Sequence, residues 1–241
     1  MGLLPLSRRK ILLGIAGAAA VVAAASLYEW ATWPDVAALA SSNPKTTAFI
    51  ERYKAEERRA GRAPKLAWRW VSYGRISPNL KRAVLVSEDI GFFWHHGFAT
   101  QEIQKSLEEA WKERDLPRGA STITQQTAKN LWLSPSYNPL RKVKEAILTM
   151  QLEKRLQKRR ILEIYLNVAE FGRGIYGAEA ASQAYFGKPA AYLSEEEAAQ
   201  LAASLPKPDA WHPGSASRVY RWKVNLILRR MQKAEFLRKL V

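Results

Sequence analysis

Cysteine is absent from all 241 residues, which removes disulfides, thiol nucleophiles and thiolate-bound zinc from consideration. Histidine is scarce. Only His95, His96 and His212 are present, which argues against a multi-histidine metal centre, and no H-E-x-x-H occurs. Acid is also in short supply, with 22 Asp+Glu against 38 Lys+Arg and a formal net charge of +16. Such a balance favours a polyanionic partner, whether nucleic acid, anionic lipid or a phosphorylated substrate. Repeats are missing, as are long low-complexity segments beyond one Ala-rich run. The hydrophobic fraction of 47% excludes global disorder, and the length suffices for one sizeable core, in one or two lobes.

One long apolar run stands out. Arg8-Arg9-Lys10 precede an uncharged stretch from Ile11 to Tyr28, which as a helix would span roughly 27 Å, about one hydrocarbon core. The basic cluster should stay cytoplasmic, because the first charges beyond the run, Glu29 and Asp35, are acidic; Trp30 and Trp33 suit the far interface. A cleaved signal peptide competes, since Ala23-Ala24-Ala25-Ser26 offers small residues. The length of the run favours an uncleaved anchor. Either reading places the remaining chain outside the cytoplasm. Next, Arg58, Arg59, Arg62, Lys65, Arg69 and Arg75 interleave with Trp68, Trp70 and Tyr73. Such interleaving can bind nucleic acid, but beside an anchor it better suits a membrane surface. Trp68 and Trp70 as core of a short strand stays open.

The remainder reads as mostly helical. Ser77-Pro78 marks a helix start, and an apolar helix runs through Val86 toward a stop at Gly91. Helices are expected over Gln101–Trp111, from the Ser121 cap onward, and over Arg141 to about Leu156. In the last of these, Val143, Ala146, Ile147 and Met150 share one face, while Leu148, Leu152 and Leu156 form the opposite one. Ser194 with Glu197 is a capping box for a helix to about Leu205. A basic amphipathic helix from about Ser217 to Leu237, with Val224, Ile227 and Met231 as core, closes the chain.

Three places break local rules. Glu88 and Asp89 fall in the last turn of their helix, where the macrodipole's negative end repels carboxylates, beside Gly91-Phe92-Phe93-Trp94-His95-His96-Gly97. A broken local rule beside an aromatic cluster marks a site as readily as it marks two solvated acids. Ser121 is a natural cap without an acid at the third helical position, so its helix could offer free N–H groups to an anion. Glu145 lies on the Leu148–Leu152–Leu156 stripe, one turn from Arg141. A carboxylate on an apolar stripe needs a partner or a function. An Arg141–Glu145 pair would supply the partner.

Five stretches then join into one pattern. Glu88, Asp89, Phe92, His95 and Gly97 fit E-D-x-x-F-x-x-H-x-G, and Gly119 to Asn130 fits G-G/A-S-T-I-T/S-Q-Q-x-x-K-N. Arg141 to Glu145 fits R-K-x-x-E, Lys158 to Asn167 fits K-x-x-I-L-x-x-Y-L-N, and Gly177 to Lys188 fits G-x-E-A-A-x-x-x-Y-F-G-K. In this order the motifs resemble the peptidoglycan glycosyltransferases, a family shared by bifunctional penicillin-binding proteins and single-domain enzymes. Ala120, and the lack of room for a transpeptidase domain, resemble the monofunctional biosynthetic branch.

The resemblance implies a mainly α, lysozyme-like two-lobed helical domain behind an N-terminal transmembrane helix. It divides the chain into a cytoplasmic stub and anchor (1–33), a membrane-proximal connecting segment (34–76) and a glycosyltransferase domain (77–241). It implies polymerisation of lipid II, with inversion and release of undecaprenyl diphosphate, at the periplasmic side of the inner membrane. By resemblance Glu88 is the base that deprotonates the acceptor's 4-hydroxyl, and Glu145 is the second catalytic glutamate. Gln126, Lys129, Asn130, Arg141 and Lys142 match positions near the donor diphosphate and sugar, with Asp89 and Ser121 supporting the site. No cofactor is required, and a divalent cation assisting the diphosphate stays open. The expected partners are lipid II, the growing glycan chain, membrane lipids and other cell-wall synthesis proteins, and no nucleic acid. A lysozyme-like hydrolase, which also uses two carboxylates, and a non-catalytic scaffold for wall synthesis are the alternatives.

Overall fold

The computed structural model describes residues 8–98, 121–133 and 139–241. The helix expected over Gln101–Trp111 lies outside them. Two compact units divide the chain, Met1–Asp35 and Val36–Val241. The first contains one helix, α1 (Arg8–Ala31), which takes in the whole uncharged run. Among the described residues no helix is long and apolar enough to cross a membrane; the side chains of residues 8–15, 18, 22, 25 and 26 of α1 lie outside that description.

The second unit is mainly helical. α2 (Ala48–Arg59) is capped by Thr47, whose hydroxyl accepts from the Ile50 N–H. The central helix is α3 (Pro78–Glu88), opened by Ser77 at the cap and Pro78 at the first position, as the sequence predicts. It ends at Glu88 with Asp89 as its C-cap, two residues short of the expected stop at Gly91. Leu80, Ala83, Val84, Leu85 and Val86 are all fully buried. Lys81 and Arg82 are buried with them. Arg82 reaches Glu195 and Glu235 and donates to the Met231 carbonyl, and Lys81 sits over the Tyr73 ring. α3 packs on α8 (Glu195–Ser204) and α9 (Arg218–Lys233), which also pack on each other. The expected Ser194–Glu197 capping box is formed at α8. In α9, Ile227 and Met231 are buried as expected, whereas Val224 is half-buried.

A second packing group is built on α4 (Ile123–Trp132), which lies against α2, α5 (Pro139–Arg155) and α6 (Lys158–Val168). The two faces of α5 separate as their spacing predicts. Leu148, Leu152 and Leu156 are buried and take Glu145 in with them, while Val143, Ile147 and Met150 are exposed. Between α6 and α7 (Ala178–Phe186) lie β2 (Glu170–Gly172) and β3 (Ile175–Tyr176), and β1 (Ala67–Trp68) completes a three-stranded sheet of order β1-β3-β2. β1 runs parallel to β3 and β2 antiparallel.

The Trp-studded stretch belongs to this second unit. Trp68 lies in β1 and its indole N–H donates to the Asn167 carbonyl, 2.8 Å away, while the Trp70 indole donates to Glu163. The strand reading therefore holds for Trp68. Asn167 clamps the same segment, its amide exchanging two hydrogen bonds with the Val71 backbone. Gly177 passes over Asn167 at φ 83°, and a Cβ there would stand 2.7 Å from the Asn167 carbonyl oxygen, so only glycine fits this turn.

Candidate active site

The site forms where the C-terminal end of α3 meets the N-terminal end of α4. Asp89 makes the junction. One of its oxygens accepts the Ile123 N–H at 3.0 Å, and His95 Nε2 lies 2.9 Å from both oxygens. The Gly97 N–H donates to His95 Nδ1, so the other ring nitrogen carries the proton and donates to Asp89. Gly97, at φ 90°, turns its carbonyl to accept from the Thr122 hydroxyl at 2.6 Å. The spacing of Asp89, His95 and Gly97 is thus the spacing needed to tie one short loop to the start of α4.

This corrects the expectation for Ser121. Thr122 is the N-cap, and Gln125 reciprocates by accepting the Thr122 N–H, completing a capping box. With the Ile123 N–H held by Asp89 and the Gln125 N–H by Thr122, the anion site expected at this helix start has lost two of its donors. Ser121 contributes its carbonyl, which accepts from Gln126 Nε2.

Glu88 stands at the helix end, about 10% exposed. Its Oε1 accepts from the Ser87 hydroxyl at 3.0 Å and its Oε2 from Gln126 Nε2 at 3.1 Å. Gln126 is itself fixed, since its carbonyl oxygen accepts from the buried Tyr165 hydroxyl at 3.0 Å. Burial, with Glu88 and Asp89 adding to it, pushes the Tyr165 phenol well above its ordinary value, so it stays a donor. The charge that a helix end repels is met from α9. Lys223 Nζ lies 3.9 Å from Glu88 Oε1. Burial pulls the Lys223 ammonium below the ordinary lysine range, and Glu88 opposes that pull. Sequence reasoning missed Lys223; the signal was a lysine three residues after Tyr220 and four before Ile227, on the buried face of α9.

Glu145 forms the second centre. It is buried, Arg141 donates to its Oε2 at 3.1 Å, and Lys142 pairs with its Oε1. The Arg141–Glu145 pair anticipated from spacing is therefore formed, with Lys142 joining it. Lys129 belongs to the same field. Burial first, then Arg141, pulls its ammonium below the ordinary lysine range, with Glu145 acting against them. Gln126, Lys129 and Asn130 share one face of α4 by their spacing, and Lys129 and Asn130 are half-buried. A further carboxylate was not foreseen. Glu153 accepts from Thr124 and from Lys158, locking α5 to α4 and to the start of α6. Among the described residues no group of three or more His, Asp or Glu could hold a metal ion.

Chemically, the arrangement offers one carboxylate held by neutral donors beside an ammonium, and a cluster of three cations around a second carboxylate. The first suits proton abstraction. The second suits an anion larger than a carboxylate, such as a diphosphate.

The transglycosylase family model matches residues 56–232. A biosynthetic peptidoglycan transglycosylase of Thiobacillus denitrificans is 46% identical over 215 residues, covering 89% of this chain and 93% of that one. Proteins of the same name from Laribacter hongkongensis and Neisseria gonorrhoeae are 42% and 43% identical, covering 90% and 80% of this chain and 95% and 82% of their own.

Proposed function

This chain belongs to the transglycosylase family, and from that premise we propose that it polymerises lipid II into glycan strands by inverting transfer. The observation that carries the mechanism is the setting of Glu88, a nearly buried carboxylate held by Gln126 and Ser87 with Lys223 beside it. Glu88 takes the proton of the acceptor's 4-hydroxyl. The freed oxygen attacks C1 of the donor sugar from the side opposite the diphosphate, the C1–O bond to that group breaks, and its electrons leave with undecaprenyl diphosphate. Arg141, Lys142 and Lys129 meet the charge that develops on the leaving group. Gln126 aligns the base, while Asp89, His95 and Thr122 hold the helix that carries Gln126. Asn130 faces the donor sugar from the same side of α4 as Lys129.

The membrane setting is part of the same reading. The Ile11–Tyr28 run anchors the chain in the inner membrane with Arg8-Arg9-Lys10 inside, leaving residues 34–241 on the periplasmic side. The two packing groups, one around α3 and one around α4, are what a two-lobed lysozyme-like domain requires. The exposed row Leu140, Val143, Ile147 and Met150 on α5 gives the catalytic unit an apolar edge for the lipid surface.

Purified lipid II supplied to the full chain in detergent tests the activity. Longer glycan should accumulate as monomer disappears. Unchanged monomer would support a scaffold, and shortening of preformed glycan would support a hydrolase.

The lowered Lys129 makes a pH prediction. The diphosphate needs the charged ammonium, and that charge is lost as pH rises through a value below the ordinary lysine one of about 10.4. KM for lipid II should therefore rise on the alkaline side. Lys129→Arg, which stays charged, should move that rise to higher pH. An alkaline KM profile identical in both proteins would remove Lys129 from the diphosphate site.

A further inference from the structure

A second concave site lies away from the catalytic one. It is a pocket of about 600 Å³ between the Arg69–Arg75 segment and the Pro189–Tyr192 turn, with Gln183 of α7 at its wall. Pockets for small ligands or short peptide anchors run from roughly 300 to 1,000 Å³. Arg69 and Arg75 are both exposed at its rim, and among the described residues neither guanidinium has a polar partner. The one carboxylate in the wall does not neutralise them. Glu179 is buried, with one oxygen accepting the Ala190 N–H at 2.8 Å and the other accepting from Gln183 at 3.2 Å. Tyr192, 73% exposed, and Trp70 supply aromatic surface at the same pocket.

The location separates this pocket from the chemistry. Glu163 and Asn167 of α6 hold the Trp70–Tyr73 segment, whereas Tyr165 holds Gln126. Tyr165 is about 200° around the helix from each of them at ~100° per residue, so the pocket and the Glu88 centre lie on opposite sides of α6. Two free guanidiniums flanked by Tyr and Trp, in a concave site already closed to its own carboxylate, form the residue set that anchors protein partners, and planar forks match carboxylates bidentately.

We propose that this pocket docks an acidic segment of a partner protein, with Arg69 and Arg75 each taking a carboxylate and Tyr192 and Trp70 covering the chain between them. A flat anionic lipid surface would meet the two rim arginines without entering the concave pocket, which a flexible acidic segment can fill. The site is independent of the Glu88 chemistry.

The test uses the full chain in neutral detergent micelles at fixed salt and a fluorescein-labelled hexaglutamate peptide, read by anisotropy. Arg69→Ala/Arg75→Ala should weaken binding at least tenfold, while Arg58→Ala/Arg59→Ala, with the same change in charge, should leave it within twofold. Tyr192→Ala should weaken it at least threefold without any change in charge. Lipid II polymerisation by the Arg69/Arg75 variant should stay within twofold of the parent, which separates failure of this site from failure of the catalytic reading. Equal loss from both arginine pairs, or no effect of Tyr192→Ala, would overturn the proposal by showing that only net charge is sensed. So would a variant that binds the peptide normally but loses binding to phosphatidylglycerol vesicles, which would make the pocket a lipid site.

Discussion

Glu88→Gln is expected to leave the fold intact and to lower lipid II polymerisation by at least roughly 10², equivalent to about 2.7 kcal/mol of barrier. The substitution keeps the shape of the side chain. Its carbonyl oxygen can still accept from Gln126 Nε2, as Glu88 Oε2 does, so the α3–α4 junction keeps its geometry. What disappears is the ability to accept a proton from a sugar hydroxyl, a poor nucleophile unless that proton is removed as the bond to C1 forms. Lipid II binding, measured separately, should persist. Lys223 offers an internal check. With the carboxylate gone, its half-buried ammonium loses the one charge that opposes its desolvation, so its titration should fall to still lower pH. A Glu88→Gln enzyme that polymerises lipid II at near the parental rate would show that the base lies elsewhere.

The same junction shows why some of this site was readable from sequence and some was not. Glu145 was legible because both reasons to notice it are local: it interrupts a leucine stripe and it follows Arg141 by one turn. The Ser77 cap of α3 and the Ser194–Glu197 box of α8 were legible for the same reason, since capping involves residues three or fewer apart. Ser121 and Thr122 are adjacent and both able to cap. The choice of Thr122 is made by Gln125 on one side and by Asp89 and Gly97 on the other, and the last two are contacts across a long sequence separation. Lys223 is a harder case. It meets Glu88 only because α9 packs on α3, and its own helix reads as an ordinary basic amphipathic segment. Trp68 and Trp70 were ambiguous because the same amphipathic indole serves a headgroup region or a buried carbonyl. Asn167 and Glu163, far along the chain, take both indole N–H groups, and the Trp70 ring stays half-buried at the pocket beside it.

Glu145→Gln is the second large effect expected, and it separates positioning from proton transfer. In the parent, Arg141 and Lys142 are both drawn onto the Glu145 carboxylate, so the three residues carry a net single positive charge held at the start of α5. A donor diphosphate entering there competes with Glu145 for the same two cations. Removing the carboxylate charge takes one ion-pair partner from each, which favours ground-state binding of an anion but loosens the placement of both side chains. Misplacement of about 1 Å can cost roughly 10² in rate, so kcat should fall by roughly 10 to 10², with KM for lipid II unchanged or lower. Because the three groups act as a unit, losses should not add: Arg141→Ala/Glu145→Gln should be little worse than the more damaged of the two single variants. Losses that multiply fully would show that Glu145 acts on the substrate independently of Arg141, and a parental kcat in Glu145→Gln would leave the carboxylate with no part in turnover.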